Sequence, residues 1–90
     1  MTETIKLGGN IELVNASSID GGSLVVLKKI IGNYARKFSE RGAESVSVTF
    51  DGTIVSVDIT RNGDRYSSLG EKSNLFFSLD SALKDLDSQF

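Results

Sequence analysis

The hydrophobic period of this chain changes twice, and that change restricts the fold more than any other feature. Leu24, Leu27, Ile31, Tyr34 and Phe38 recur at spacings of three and four, the stripe of one helix face. Val46, Val48 and Phe50, then Val55, Val57 and Ile59, recur at spacings of two with mostly Ser, Thr or Asp between them. That pattern predicts strands with one dry and one wet face. Phe76, Leu79, Leu83, Leu86 and Phe90 then return to the helical spacing. Ahead of all these, Ile5 to Ala16 alternates loosely, with Ile11, Leu13 and Asn15 on one side and Glu12, Val14 and Ala16 on the other. It reads as a first strand, interrupted or bulged near Gly8-Gly9.

The connecting residues agree with this division. Ser17-Ser18-Ile19-Asp20-Gly21-Gly22 offers side-chain oxygens for the free N–H groups of a helix start, and Gly42 sits where a left-handed C-cap is wanted. Asp51-Gly52 reads as a type I′ turn with both residues at positive φ, and Asn62-Gly63 as a second turn. Tyr66 to Leu69 makes a shorter third hairpin strand, and Ser73 or Asn74 caps the last helix. The expected order is β-α-β-β-β-α. Two amphipathic helices and a sheet with one apolar face predict an α+β, two-layer sandwich: a four-stranded, mostly antiparallel sheet with both helices on one face. Ninety residues without repeat or linker make one domain, residues 1–90.

The chain contains neither Cys nor His. Disulfides, structural zinc, a thiolate nucleophile and the usual base near neutral pH are all removed. Asp and Glu are scattered singly, without the close pairing that drives two carboxylate pKa values apart. The expectation is a non-enzymatic protein with no catalytic residue, cofactor, metal or small-molecule substrate. The N-terminus has no basic region followed by an apolar run, and Leu24 to Leu27, the longest apolar stretch, is too short to cross a bilayer. A soluble, cytoplasmic protein without membrane contact is expected.

Charge is segregated. The chain carries a net charge of −2, yet residues 21–42 hold Lys28, Lys29, Arg36, Lys37 and Arg41 against a single acid, Glu40. At about 100° per residue, Lys29 and Arg36 point away from the apolar stripe, with Gly32 and Asn33 between them and Lys28 and Lys37 flanking. Read functionally, this is a ridge that tracks phosphates, Gly32 admitting a backbone and Asn33 donating a hydrogen bond. Read structurally, it is a solvated helix face. Val25 lies on the same outer side, either simply tolerated or marking a partner contact together with Ile30. Lys72, near the start of the last helix, is a secondary anchor, with Arg61 and Arg65 near the second hairpin tip. Residues 17–23 match no phosphate-binding glycine motif, and Asp20 would repel an anion, so capping explains them better. Tyr34 falls in the core stripe; Tyr66 is the one candidate for stacking on a base, though packing explains it as well.

The element order, closed by Asn74-Leu75-Phe76-Phe77-Ser78-Leu79-Asp80-Ser81-Ala82-Leu83-Lys84-Asp85-Leu86, resembles the bacterial hibernation-promoting factor and ribosome-associated inhibitor family. That family carries a similar aromatic-x-x-(Ile/Leu)-Asp-x-(Ala/Leu)-(Val/Leu) run in its last helix and shares its layout with double-stranded-RNA-binding domains. The resemblance implies binding to ribosomal RNA or the small ribosomal subunit through basic residues on and beside the helices. Here the second helix departs from it, with Asp80, Asp85 and Asp87 against only Lys84. Two expectations follow. One is an RNA- or ribosome-associated module that binds and occludes through Lys28, Lys29, Arg36, Lys37 and Arg41, assisted by Lys72. The other is a protein-interaction or homodimerisation module using the open sheet face, lined by Ser45, Ser47, Thr49, Ser56 and Asp58, or an edge strand.

Overall fold

A computed structural model describes residues 4–6, 11–16 and 19–89. Seven elements follow one another: β1 (Thr4–Lys6), β2 (Ile11–Val14), α1 (Gly21–Glu40), β3 (Ser45–Asp51), β4 (Ile54–Arg61), β5 (Asp64–Glu71) and α2 (Leu75–Gln89). The class is α+β, as the pattern predicts, with two helices over a sheet. The sheet has five strands, where the alternation predicts four, in the order β1-β2-β3-β4-β5. The stretch read as one strand from Ile5 to Ala16 is an antiparallel pair, with Ile5 opposite Leu13. The expected bulge at Gly8-Gly9 lies outside the described residues, as do Ser17, Ser18 and Phe90.

The sheet is mixed. β2 runs parallel to β3, with Leu13 opposite Val48, while every other neighbouring pair is antiparallel. Parallel neighbours cannot be joined by a tight turn, and α1 is the crossover that joins these two. The register stacks the inward residues in rows across the strands: Ile11, Val46, Ile59 and Tyr66, then Leu13, Val48, Val57 and Ser68, then Phe50, Val55 and Gly70. These rows share one buried cluster with Leu27, Ile31, Ala35 and Phe38 of α1 and Leu79, Ala82, Leu83 and Leu86 of α2. Both helices therefore cover the same face. Ala16, placed outward by simple alternation, is buried instead. Asn15 adopts φ 62° and turns the chain over, and its side-chain amide donates to the Phe50 carbonyl at 2.8 Å.

Cap and turn chemistry resolves the remaining alternatives. Asp20 is the N-cap of α1, accepting from the Ser23 amide at 3.0 Å. Arg41 closes the helix, Gly42 follows at φ 97°, and Ala43 donates back to the Phe38 carbonyl, a Schellman ending. Asn74, not Ser73, caps α2 by accepting from the Phe77 amide. Asn62-Gly63 is the type I′ turn, both residues at positive φ. The first hairpin differs from expectation: Asp51 pairs with Ile54, so the central residues are Gly52 and Thr53, and only Gly52 has positive φ. The strand expected over Tyr66 to Leu69 is longer, because the Asn62-Gly63 turn starts pairing at once from Asp64.

The tightest packing joins α2 to β5. A Cβ on Gly70 would fall inside the Ser78 carbonyl oxygen, so helix and strand backbones touch there. Ser68 Oγ donates to the Ala82 carbonyl, and Ser78 Oγ accepts from the Lys72 amide, so both buried hydroxyls are satisfied. Gly70→Ala should therefore cost about 3 kcal/mol or more in urea unfolding, because helix or strand must move. Gly32, mid-helix with nothing within 4 Å of an added Cβ, should behave oppositely. Gly32→Ala should raise stability by about 0.5–1 kcal/mol. The Ser23 N–H also holds the Asp20 carboxyl below its ordinary value. A depressed folded-state pKa contributes stability that is present above the unfolded value and lost as pH falls through the folded one. Asp20→Asn, which still caps, should flatten that part of the acid-unfolding curve followed by circular dichroism.

Candidate nucleic-acid interface

Six cations were expected to form one phosphate-binding surface, and the fold divides them. Lys29 and Arg36 project into solvent from the side of α1 opposite Leu27, Ile31, Ala35 and Phe38, and Lys28 is half-buried beside them. Asn33 is exposed between them and Gly32 is open, as the helical wheel requires. Glu40, one turn beyond Arg36, is the acid on this side. Among the described residues, no carboxylate forms an ion pair with Lys28, Lys29 or Arg36.

The end of α1 is occupied differently. Arg41 Nη1 lies 2.7 Å from Asp87 Oδ1 of α2 and donates to the Asp87 carbonyl at 3.2 Å. The contact with the buried Asp87 Oδ1 is a close charge pairing. Lys37 Nζ approaches the same carboxylate at 3.9 Å and stands 5.2 Å above the centre of the Tyr34 ring. Lys37 and Arg41 thus pair with Asp87 across the seam between α1 and α2, unlike the cations of the ridge. The periodicity of α2 places Asp87 on one flank of that helix. What it cannot show is that the two helices run side by side in the same direction. Both C-terminal ends coincide at the Arg41–Asp87 pair, while Tyr34, earlier in α1, acts on Lys84, earlier in α2. The hydrogen bond and charge of Asp80, 3.0 Å away, hold Lys84 above the ordinary lysine value, with Tyr34 adding to the effect.

Lys72 is exposed at the β5–α2 junction. Strand order separates it from the ridge, since α1 connects β2 and β3 while α2 docks on β4 and β5. No described contact links Lys72 to the cations of α1. Arg65 Nε lies 3.9 Å from Asp58, and the Arg61 side chain runs alongside Gly42 at the end of α1. Tyr66 is partly buried and packs against the core from its inward row. Val25 is 60% exposed, as anticipated, but Ile30 packs on the core; the exposed neighbour is Val26. The opposite sheet face carries Ser47, Thr49, Ser56 and Asp58 in register, with Leu69 59% exposed at its border.

Among the described residues no group of His, Cys, Asp and Glu is disposed to hold a metal ion, and no helix is long and apolar enough to cross a membrane. Comparison with protein-family models, curated proteins and solved structures returns no significant match to this chain.

Releasing the helix-end clamp tests its role. Asp87→Ala should lower stability by about 0.5–1 kcal/mol, as expected for a partly exposed pair backed by a second cation. The same variant should bind an RNA duplex more tightly, because the carboxylate that offsets the charge of Lys37 and Arg41 is then gone.

Proposed function

We propose that this chain is a non-enzymatic module that binds the phosphate backbone of structured RNA through the outer ridge of α1. Lys28, Lys29 and Arg36 make the charge contacts and Asn33 supplies a hydrogen bond. The observation that carries this reading is the division of charge on α1. Its C-terminal cations are paired with Asp87, whereas the ridge cations have no ion-pair partner among the described residues. Gly32 supports it, because the fold itself leaves its Cβ position empty and a close-lying backbone would use that space. The element order and the final-helix run resemble ribosome hibernation factors, so ribosomal RNA of the small subunit is the proposed target and occlusion the proposed mechanism. Binding there would be narrower than the resemblance alone implies, since Lys37, Arg41 and Lys72 stand outside the ridge.

Three phosphate contacts set the expected strength. Each contributes roughly 0.7–0.9 to the slope of log affinity against log salt, so a slope of about −2 to −3 is expected for duplex RNA in fluorescence anisotropy. Lys29→Glu combined with Arg36→Glu should abolish binding and leave the melting curve unchanged. Sedimentation with purified small ribosomal subunits at low and moderate salt then tests the target. Co-sedimentation that fades with salt and is lost in the double reversal supports it. Duplex binding without subunit binding restricts the function to other RNA, and neither interaction at low salt sinks the reading. A second reading, protein interaction through the open sheet face, is favoured only by the exposed Leu69 beside the Ser and Thr rows, and would show little salt dependence.

A further inference from the structure

The sheet ends on one side at β1, three residues long, and on the other at β5, eight residues long. The two-residue turn at Asn62-Gly63 makes Arg61 and Asp64 a pair that exchanges both backbone bonds. Bonding pairs then continue at Ile59–Tyr66, Val57–Ser68 and Val55–Gly70. Arg65, Ser67, Leu69 and Glu71 therefore turn their N–H and C=O groups away from β4. The Ser67 carbonyl shows this directly by accepting from Gln89 Nε2 at 3.2 Å. An outward ladder of this length is a template for another strand.

Reversed, this edge is its own electrostatic complement. An antiparallel copy centred on Ser68 sets Arg65 opposite Glu71 and Asp64 opposite Lys72, each pair occurring twice by symmetry. Ser67 faces Leu69, and Tyr66 faces Gly70, whose inward side is already filled by the Ser78 carbonyl of its own copy. Neighbouring registers lose the match. A shift one way sets Arg65 against Leu69, and the other way sets Glu71 against Ser67. Arg65 is free to turn toward such a partner, being 75% exposed and only 3.9 Å-paired with Asp58.

We propose that two copies of this chain associate about a two-fold axis through antiparallel β5–β5 pairing centred on Ser68, joining two five-stranded sheets into one. The axis is perpendicular to the sheet, so both helical layers lie on the same side. The flank of α2 nearest this edge carries Ser78, Ser81 and Ala82 together with Asp85 and Gln89, whose long side chains must swing outward for two α2 helices to lie side by side. Gln89 leaves the Ser67 carbonyl, which takes the Leu69 N–H of the second copy in its place. None of this depends on the phosphate reading of α1, whose ridge is on the other side of the helical layer.

Sedimentation equilibrium from micromolar to millimolar protein tests the pairing, with a melting curve confirming that each variant is folded. The wild type should follow a monomer–dimer equilibrium. Arg65→Glu or Glu71→Arg alone sets like charges opposite each other at both ends and should weaken association roughly tenfold. The double exchange, Arg65→Glu with Glu71→Arg, restores complementarity and should restore the dimer. A monomer at every concentration overturns the proposal, which leaves the edge to a different protein strand or to none. A dimer indifferent to the single reversals, or one that the double exchange fails to restore, overturns it in favour of another surface.

Discussion

The backbone of α2 rests directly on the backbone of β5, and most of the surface chemistry of the molecule depends on that contact. Gly70 permits it by having no side chain, and the Ser78 carbonyl occupies the space. Once the helix is this low on the strand, two buried hydroxyls, Ser68 and Ser78, find backbone partners that would otherwise be out of reach. A buried hydroxyl without a partner costs about 1–3 kcal/mol, so the polar pair stabilises only this one seating of the helix. Asn74 starts α2 immediately after the crossing, so the helix direction is set within a turn of the contact.

That direction decides what the basic helix can do. Running alongside α1 with both C-termini together, α2 carries Asp87 to Lys37 and Arg41 and keeps Asp80 with Lys84. The cations that favour the negative end of the α1 dipole are therefore the ones that also hold the helices together. Lys28, Lys29 and Arg36, which precede them in the helix, have no ion-pair partner among the described residues. A chain with net charge −2 can in this way present a small basic ridge while its acids serve caps, clamps and the wet sheet face. If copies join through β5, the two ridges would share one side of the assembly, and a modest set of phosphate contacts would be doubled without a new residue.

Much of this architecture was legible in the residue pattern because it follows from local chemistry. The period of three and four over Leu24 to Phe38 and over Phe76 to Leu86, the period of two from Val46 to Ile59, and the turn at Asn62-Gly63 each act over a few residues. Each is found where it was expected. The Schellman ending at Gly42 and the choice among Ser17, Ser18 and Asp20 as cap narrowed to what backbone donors allow. The exposure of Lys29 and Arg36 also follows from the wheel alone, since burying Leu27, Ile31 and Phe38 forces the opposite side outward.

Other features required the assembled chain. A loose alternation from Ile5 to Ala16 does not tell one strand from a folded-back pair, because both bury the same residues; pairing Ile5 across from Leu13 is a long-range choice. The burial of Ala16 depends on one left-handed residue, Asn15, whose side chain is anchored on distant Phe50. The engagement of Lys37 and Arg41 depends on the relative direction of two helices separated by three strands, and periodicity carries no information about it. Local propensity and amphipathic spacing act through neighbours along the chain and are written into it. Charge pairing between elements acts through space, and the docking of α2 on Gly70 chose which basic residues were tied down and which were left to meet a partner.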